Sequence, residues 1–555
     1  MLPIRRFGKR ILSKLVEVLP AYGDKVVCNV ESGDACPRAR LSVADLRRDR
    51  FLKFSELAAA LAGYARLSLG TDSEVFGITS DSRQVKPGDV FVSIPGTRVD
   101  GHQFIGPAIE RGAVAVVAER EFDHPDHVSA AIVPDARWAL SALSDAFFGS
   151  PARKLQMVGI TGTNGKTTIA FLMQAVAAAA GRRCGVIGTA GMMLGDEVLE
   201  SKSGYTTPEA PTVHRLLAQM VQRNADVAAM EVTSHALEQQ RVAHCRFDVA
   251  IYTNLTHEHL DYHRDMAHYF AAKAKLFHML QPGAVAVINM DDPYGVRMVA
   301  EVPQGVRILT YGFSPEADVR AEELVMSGQG VSYRLATREG QTRVEAPFLF
   351  GAYNVSNALA AIAAGMALGY GIGAGATAML TAKGAPGRFE RVDCGQDFTV
   401  VVDYAHTPDG FEKLLSDVAR IKQPGARVHM VFGSAGHRDQ TKRPDMGRIA
   451  GDYCDVLVLC EEDPRTEDAM EISRQIAAGV RRPNVEICLV EERMEAIDRA
   501  IQMARPGDIV LITGKGNETD LEVQHPSLWH GDVPAAEESL RRLLADPTRR
   551  RRVTA

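Results

Sequence analysis

The segment "GITGTNGKTT", Gly159–Thr168, constrains the fold more than any other part of the sequence. It follows an apolar run typical of a strand and precedes an apolar helical stretch, "TIAFLMQAVAAAAG". Glycines let the backbone approach a phosphate, a lysine reaches the terminal phosphates, and the next hydroxyl holds Mg²⁺. A strand, a phosphate loop and a helix in this order predict a parallel α/β domain that binds ATP or GTP.

The loop departs from the usual spacing, G-x-x-x-x-G-K-[ST]. That spacing requires glycine at the position of Ile160, whereas Gly159 lies one residue too early. A purely structural glycine turn is the alternative, but a lysine and two threonines at a helix start have little packing purpose. We therefore interpret the segment as a variant phosphate loop. Its nucleotide-binding residues are predicted to be Gly162, Thr163, Asn164, Gly165, Lys166, Thr167 and Thr168.

Length and composition limit the remaining possibilities. A chain of 555 residues suggests about three domains. A net charge of −6 and a pI near 6.3 argue against nucleic acid as a partner. The eight cysteines include no C-x-x-C pair, which is typical of reduced thiols. No apolar run reaches the roughly 18 residues of a transmembrane helix, so we expect a cytoplasmic protein.

Residues 1–52 are predicted to form a basic extension. The first fifty residues contain eleven Lys and Arg against six Asp and Glu, and "IRRFGKRILSKLVEVL" has one apolar helical face. This face could lie on an anionic membrane surface as a peripheral contact. The alternative is an extension that packs on the body of the protein or is partly disordered.

Three α/β domains are predicted to follow. Residues 53–150 show short β-rich runs between turns, as in a small mixed domain. Residues 151–387 alternate strand and helix, which predicts a parallel sheet covered on both faces. Residues 388–555 alternate again, and their strands run into polar loops, as in a Rossmann-like domain with ligands at its carboxyl edge. The central strands are predicted near Leu155–Ile160, Val227–Val232, Val249–Thr253 and Ala284–Asn289.

Two strand ends of the central domain carry groups that bind metals. Glu231 ends one strand, and His257, His259, Asp261 and His263 follow the next in "YTNLTHEHLDYHRD". Mg²⁺ prefers carboxylate and water ligands, whereas three histidines could instead indicate zinc. We favour Mg²⁺ because the phosphate loop already requires it.

A set of motifs resembles the Mur ligases, cytoplasmic enzymes of peptidoglycan precursor synthesis. In order they are "GTNGKTT", "MEVTSHAL", "TNLTHEHLDYH", "HYFAAKAKLF", "GAYNVSNALAA", "GRFERV", "DYAHTPD", "GSAGHRDQTKRPDM", "EDPRTED" and "GKGNE". The resemblance covers roughly residues 70–520, and the variant loop is the family's own form. It implies a UDP-binding, an ATP-binding and an amino-acid-binding domain.

The resemblance also implies an ATP-dependent amide ligase. In such an enzyme the γ-carboxylate of D-Glu in UDP-N-acetylmuramoyl-L-Ala-D-Glu attacks ATP to form an acyl phosphate. The amine of a diamino acid then displaces phosphate. Phosphorylation is needed because a free carboxylate is a poor acylating agent.

The implied catalytic residues come from motif matches. Thr167, Glu231 and His259 match the shell of Mg²⁺, and Lys166 matches the phosphate-binding lysine. Lys273 matches the lysine that this family carbamylates with CO₂, which makes a cation into a carboxylate-like metal ligand. From the pattern alone Lys273 would be a solvated helix lysine, as would the nearby Lys275.

Two groups of residues are implied for the nucleotide substrates. Ser80, Ser82 and Arg83 in "SDSR" are similar to the family's uridine-binding region, although the residues alone also fit a Ser or Asp turn. ATP contacts from two domains imply domain closure around the nucleotide. The matched ATP positions are Asn354, Arg388 and Asp403. The matched muramyl-dipeptide positions are Thr206, Thr207, Thr233, Gln239 and Arg241.

The acceptor amino acid is assigned to the C-terminal domain by the resemblance. Members that add meso-diaminopimelate carry Asp-Asn-Pro-Arg where this chain has Glu462-Asp463-Pro464-Arg465. Arg465 can bind a second carboxylate bidentately, and Asp463 could repel that carboxylate or hold an ammonium. Meso-diaminopimelate is favoured, with L-lysine and ornithine as alternatives. Two further matches are Gly514 and Glu518.

Other proteins share this loop chemistry. Folylpolyglutamate synthetase and cyanophycin-type ligases also form acyl phosphates, but "SDSR" and "EDPR" favour a UDP-muramyl substrate. A P-loop NTPase switch would hydrolyse nucleotide without an amine acceptor, and the polar strand ends of the third domain argue against it. The family pattern predicts a monomer.

Overall fold

A computed structural model describes residues 52–96, 99–200, 205–256, 260–327 and 330–545. The predicted extension lies outside these residues, except for position 52. The described chain contains three larger sheets. Each of the three predicted domains contains all the strands of one of them. The predicted domain boundaries stay a prediction. None of the described helices combines the length and apolar character needed to cross a membrane.

The first sheet has five strands and belongs to a small mixed α/β unit. Its first strand pairs antiparallel, and its other neighbours pair parallel. Asp135 caps the longest helix by accepting backbone hydrogen bonds from Arg137 and Trp138. In sheet order the strands are Arg66–Ser68, Ser129–Ile132, Ala115–Ala118, Asp89–Val92 and Gly77–Thr79. The α-helices are Phe54–Ala58, Ile105–Glu110 and Ala136–Phe147, and Leu52–Lys53 pairs separately with Glu74–Val75.

The second sheet has eleven strands, and its centre is parallel as predicted. Antiparallel strands extend both edges, a feature that the sequence prediction missed. The missed signal is an alternating polar and apolar pattern in residues 319–346, which is typical of antiparallel strands with one solvated face. In sheet order the strands are Glu197–Glu200, Gly191–Leu194, Cys184–Gly188, Val227–Glu231, Gln156–Thr161, Val249–Tyr252, Val285–Asn289, Arg307–Gly312, Val319–Ser327, Gly330–Thr337 and Gly340–Ala346.

Helices cover this sheet with a separate apolar core on each face. The helix after the phosphate loop ends at Gly181, as predicted, where the backbone turns left-handed at φ 73°. The helices are Lys166–Ala179, Ala210–Gln222, Ser234–Glu238, Leu260–His263, Met266–His278, Gly295–Ala300, Ala352–Ala367 and Ile372–Met379.

The third sheet has six strands, five of them parallel, and confirms the predicted Rossmann-like alternation. In sheet order they are Glu390–Val392, Thr399–Asp403, Ile509–Thr513, Val428–Phe432, Val456–Leu459 and Glu486–Leu489. The helices are Pro408–Ile421, Lys442–Tyr453, Ala469–Ala477, Arg493–Met503 and Asp532–Ala545.

The register of the parallel strands decides where the polar loops meet. Glu231 lies opposite Ile160, and Tyr252 lies opposite Thr161, so three neighbouring strands end at one level. The carboxyl edge of the second sheet therefore gathers the phosphate loop and the two predicted metal-binding strand ends.

Candidate active site

The phosphate loop lies between the strand Gln156–Thr161 and the helix Lys166–Ala179. The Lys166 ammonium folds over it and donates to the carbonyl oxygens of Gly162 and Thr163 at 2.9 and 2.8 Å. Gly165 adopts φ 90°, and a Cβ there would lie 2.5 Å from Asn357 Oδ1. Glycine is needed at this position because both the backbone angle and the contact exclude a side chain.

The neighbouring strand end holds the loop in place. Asn254 accepts the backbone N–H groups of Thr163 and Asn164, each at 2.9 Å, through its carbonyl and its side chain respectively. Thr253 Oγ1 donates to the Asn164 carbonyl at 2.7 Å. A Cβ on Gly162 would lie 1.8 Å from that hydroxyl. Asn254 was not predicted as a site residue, although it stands within the quoted "TNLT".

Thr167 and Glu231 meet at the start of the helix. The Glu231 carboxylate accepts hydrogen bonds from the Thr189 N–H at 2.9 Å and the Thr189 hydroxyl at 3.3 Å, and the Thr167 side chain acts to lower its pKa. Glu231 is 1% exposed, and this burial raises its pKa, against the opposing charge of Lys166. A hydroxyl and a carboxylate are hard oxygen donors, so the pair fits Mg²⁺. Thr168 is buried in the same helical turn.

The two lysines of "HYFAAKAKLF" have different environments. Lys273 is 2% exposed, and its Nζ lies 4.3 Å from the centre of the Tyr269 ring. The Tyr269 hydroxyl is 3.4 Å from Thr163 Oγ1, which connects this helix to the phosphate loop. Lys275 is 45% exposed and pairs with Glu238. The structure therefore separates two lysines that the pattern alone made equivalent.

The predicted metal ligand His259 lies outside the described residues, as does His257. His263 is buried, and its Nε2 lies 2.8 Å from Ser234 Oγ. Within the described ranges no group of three or more His, Cys, Asp or Glu side chains is placed to hold a metal. The choice between Mg²⁺ and zinc therefore depends on Thr167 and Glu231, whose oxygens favour Mg²⁺.

The predicted ATP residues of the later segments approach the same edge. Arg388 lies over the Tyr404 ring at 4.2 Å, and its charge acts on both Glu231 and Asp403. Asp403 accepts the backbone N–H groups of Phe389 and Ala405 at 2.7 and 2.8 Å. Burial raises the pKa of Asp403, and Arg388 opposes that shift. Arg388 thus links the second and third sheets electrostatically.

Asn354 contributes indirectly. It donates to the Phe350 carbonyl at 2.9 Å and accepts from Asn357 Nδ2 at 3.2 Å. Asn357 in turn lies against Gly165 of the phosphate loop. The structure therefore places Asn354 behind the loop, one residue removed from it.

The five predicted muramyl-dipeptide residues lie close to Glu231. Thr207 Oγ1 donates to the Glu231 backbone carbonyl at 2.8 Å and accepts from the Thr233 N–H at 3.1 Å. Arg241, 6% exposed, donates to the Thr207 carbonyl at 2.7 Å and to Gln239 Oε1 at 2.7 Å. The hydroxyl of Thr206 accepts from that of Thr189 at 3.0 Å. One hydrogen-bonded cluster thus joins all of these predicted residues: Thr206, Thr207, Thr233, Gln239 and Arg241.

The "SDSR" segment forms a local turn. Arg83 binds Asp81 with two side-chain bonds at 2.9 and 2.8 Å, and its side chain is 85% exposed. Hydrogen bonds from Arg83 hold the pKa of Asp81 below its ordinary value. This is the turn that the residues alone allowed, and the uridine-binding role of Ser80, Ser82 and Arg83 stays a prediction.

Glu462 and Gly514 meet at the carboxyl edge of the third sheet. Gly514 adopts φ 107°, and a Cβ there would lie 2.0 Å from Glu462 Oε2. Glu462 is 5% exposed, and its burial raises its pKa to about 7. The charges of Arg493, Lys442 and Lys515 act in the opposite direction.

Lys515 is the main residue that the prediction missed at this edge. Its buried ammonium binds both Asp463 oxygens, at 2.9 and 2.8 Å, and Glu518 Oε2 at 2.6 Å. Glu518 also accepts from the Tyr404 hydroxyl at 3.0 Å. Asp463 therefore does hold an ammonium, as one of the two alternatives proposed, but that ammonium belongs to the chain itself. The quoted "GKGNE" contained this signal.

Arg465 already contacts a carboxylate of the chain. Its Nε donates to Glu522 Oε2 at 2.7 Å, and its Nη1 donates to the Gly436 carbonyl at 2.5 Å. Gly436 also packs against Pro464, where a Cβ would lie 2.0 Å from the Pro464 carbonyl oxygen. Behind this turn, Arg493 forms a fully buried ion pair with Asp532 at 2.8 Å, which no sequence signal indicated.

Comparison with known proteins decides the family. Three models match: the Mur ligase family catalytic domain at residues 74–147, the Mur ligase middle domain at 160–365, and the Mur ligase glutamate ligase domain at 387–516. The UDP-N-acetylmuramoyl-L-alanyl-D-glutamate--2,6-diaminopimelate ligase of Geobacillus thermodenitrificans is 42% identical, over 84% of this chain and 95% of its own. The ligase of that name from Geobacter metallireducens is 44% identical, over 80% and 90%. The chain belongs to the Mur ligase family.

Solved structures agree with this assignment. A structure of a 2,6-diaminopimelate ligase with the same full name is 30% identical to this Mur ligase, with a TM-score of 0.66 over 90% of this chain and 100% of that one. Folylpolyglutamate synthase from Mycobacterium tuberculosis, complexed with ADP and AMPPCP, is 20% identical with a TM-score of 0.55, over 73% and 94%. That second likeness shows a shared fold alone.

The predicted family and the predicted three-domain α/β fold of this Mur ligase are confirmed. The structure brings the phosphate loop, Glu231, Lys273 and the muramyl-dipeptide cluster to one sheet edge. It brings the acidic and basic residues of "EDPR" and "GKGNE" to the edge of another sheet. The individual roles of these residues in the Mur ligase stay predictions.

Proposed function

We propose that this Mur ligase uses ATP to join a diamino acid, meso-diaminopimelate, to the D-Glu γ-carboxylate of UDP-N-acetylmuramoyl-L-Ala-D-Glu. The position of Glu231 supports the proposal. The Thr167 hydroxyl of the phosphate loop acts on the Glu231 carboxylate and favours its charged form, while the Glu231 backbone carbonyl accepts a hydrogen bond from Thr207 of the muramyl-dipeptide cluster. A nucleotide phosphate and an acidic substrate bound to these two groups would lie side by side.

The chemistry proceeds in two balanced steps. A carboxylate oxygen attacks the γ-phosphorus of ATP, the bond to ADP breaks, and an acyl phosphate forms. The amine nitrogen then attacks the acyl carbon, phosphate leaves with the electron pair of the C–O bond, and the nitrogen releases a proton. Lys166 would neutralise charge that develops on the phosphates, and Thr167 with Glu231 would hold Mg²⁺. The ion, when bound, supplies positive charge to the phosphate oxygens.

We infer that Lys273 acts as a carbamate formed with CO₂. Burial removes the hydration of an ammonium, so the surroundings of the buried Lys273 must replace it. Carbamylation replaces that cation with an anion, and Lys273 lies on the helix whose Tyr269 contacts the phosphate loop. Together with His259, a carbamate would complete the proposed oxygen and nitrogen ligands of Mg²⁺.

The position of Arg388 supports the proposal that the domains close around the nucleotide. This residue influences a carboxylate in each of two sheets, Glu231 and Asp403, so it is suited to bind the nucleotide between them. Closure would exclude water, which would otherwise hydrolyse the acyl phosphate.

The choice of meso-diaminopimelate is supported by the relatives' names and by Arg465. A guanidinium recognises a carboxylate, and the distal centre of meso-diaminopimelate has a carboxylate that L-lysine and ornithine lack. A P-loop NTPase switch is disfavoured, because an elaborate charged edge on the third sheet would then have no ligand. We expect the ligase to act in the cytoplasm as a monomer. Peripheral membrane contact by residues 1–52 stays a prediction from sequence alone.

The test is ADP release by the purified protein with ATP, Mg²⁺ and UDP-N-acetylmuramoyl-L-Ala-D-Glu. Meso-diaminopimelate, L-lysine and L-ornithine are added in turn, and the product is identified by mass. We expect meso-diaminopimelate to stimulate turnover and to appear in the product. Stimulation by L-lysine or ornithine instead would overturn the choice of amino acid. ADP release that no amine stimulates would overturn the ligase itself and favour the switch.

A further inference from the structure

A short segment after the third sheet lies along the turn that carries Arg465. The Arg465 N–H donates to the Glu522 carbonyl at 3.1 Å, and the Glu522 N–H donates to Asp463 Oδ1 at 2.9 Å. Gln524 Nε2 donates to the Arg465 carbonyl at 2.9 Å. These bonds hold the segment in a defined register, so the backbone places Glu522 next to Arg465.

That register brings the Glu522 carboxylate to Arg465. The guanidinium Nε binds Glu522 Oε2 at 2.7 Å, while Nη1 binds the Gly436 carbonyl at 2.5 Å. The Arg465 side chain is 25% exposed, but the Glu522 side chain is 61% exposed. An ion pair with one solvent-exposed member contributes little to stability and exchanges readily. The arginine is therefore fixed, and its carboxylate partner is easily displaced.

The turn itself is built to present these groups. Asp463 and Arg465 both adopt left-handed backbone angles, φ 47° and 57°. Such angles are unfavourable for residues other than glycine and persist only where the surroundings impose them. Here they place Asp463 on the Lys515 ammonium and Arg465 on Glu522. The turn thus holds an ammonium and a carboxylate side by side, both supplied by the chain.

An amino-acid centre carries the same two charges. The distal centre of a diamino dicarboxylic acid has one ammonium and one carboxylate. Glu518 and Asp463 bind the internal ammonium, and Arg465 binds the internal carboxylate. The internal pair therefore imitates the ligand that this edge is suited to recognise.

We propose that Glu522 is a specificity-determining residue that occupies Arg465 until the distal carboxylate of the incoming amino acid displaces it. This inference rests on the proposed function. An amine without a second carboxylate cannot replace Glu522, so it gains nothing from Arg465. A substrate with that carboxylate binds Arg465 but must compete with the internal one. Glu522 therefore lowers the affinity for the dicarboxylic substrate and leaves that for the monocarboxylic amines unchanged.

The experiment compares Glu522→Gln with a matched control, Asp520→Asn. Asp520 is exposed on the same segment, and no ion pair joins it to any residue in the described part of the chain. For Glu522→Gln we expect the KM for meso-diaminopimelate to fall about 2- to 5-fold, the range expected from an exposed ion pair. The kcat, the KM for ATP and the inhibition constant of L-lysine should not change. Asp520→Asn should match the wild type throughout.

A rise in the KM for meso-diaminopimelate in Glu522→Gln would overturn the inference, because Glu522 would then position Arg465 for binding. An equal shift for meso-diaminopimelate and L-lysine would also overturn it. Calorimetric titration of meso-diaminopimelate into full-length wild type and Glu522→Gln measures binding of the amino acid separately from the reaction. Tighter binding by the variant supports the inference even if neither protein turns over, which would contradict only the proposed function. Absence of binding to both proteins would overturn the inference as well.

Discussion

The carboxyl edges of the second and third sheets solve the same electrostatic problem differently. At the second sheet one buried carboxylate, Glu231, accepts hydrogen bonds from the hydroxyl and the backbone N–H of Thr189. At the third sheet charged side chains pair with one another, as Lys515 does with Asp463 and Glu518. The edge of the second sheet is therefore suited to charged groups of the ligands. The edge of the third sheet already contains opposite charges of the chain itself.

This contrast predicts how each edge would respond to its ligands. ATP and Mg²⁺ would bind directly to Lys166 and Glu231 at this edge, so single residues there should have large effects on catalysis. An amino acid at the third sheet would exchange with internal partners, so the net effect of each residue should be smaller. Buried charges of the chain should instead appear in stability and its pH dependence.

The largest effect is expected for Lys166→Ala. The Lys166 ammonium lies over the phosphate loop and would stabilise charge that develops in the transition state. Its loss should therefore lower kcat/KM about 10³-fold. The midpoint of thermal unfolding should stay within about 3 °C, measured together with ADP release. Lys154→Ala, an exposed lysine before the same strand, is the control. Near-normal turnover in Lys166→Ala would contradict the expectation that single residues at the edge of the second sheet have large effects on catalysis.

The next effect separates Lys273 from Lys275. Lys273→Ala should lower kcat about 10²-fold through the loss of a metal ligand, and added acetate or formate should restore part of the activity. Lys275→Ala should change kcat by less than about two-fold, because its ion pair with Glu238 is exposed. Turnover with and without short carboxylates measures both. Equal losses in the two variants would show that burial of Lys273 has no catalytic meaning.

The smallest effect concerns Glu462 and stability. Burial raises its pKa to about 7 from an ordinary value near 4.5, so the folded protein holds a proton that the unfolded chain releases. This contribution to stability is complete below about pH 4.5 and is lost as the pH rises through 7. From pH 5 to 8, Glu462→Gln should gain about 2 kcal/mol in unfolding free energy relative to the wild type.

Urea unfolding at several pH values measures this change, with the exposed Glu538→Gln as the control. Parallel pH profiles for the wild type and Glu462→Gln would contradict it. They would show that the internal cations fully compensate the Glu462 carboxylate, and that the third sheet is even more closely balanced than its geometry indicates.

Much of the fold was predictable because its signals are local. The four predicted strands of the second sheet appear within about two residues of their predicted limits, and Gly181 ends the helix after the phosphate loop. The antiparallel edge strands were missed, since an alternating pattern does not say which sheet a strand joins. Asn254 was missed for a similar reason: its contacts to the loop join residues 90 positions apart.

The family, the nucleotide loop and the candidate residues at each strand end could all be predicted from sequence motifs. Each of these features depends on a short motif, in which the residues that act together are neighbours along the chain. Only the tertiary structure showed that Lys273 is buried and Lys275 exposed, and only it paired Asp463 with Lys515 and Arg465 with Glu522. The physical reason is that burial and charge pairing depend on which distant segments meet, and strand register and backbone hydrogen bonds decide that.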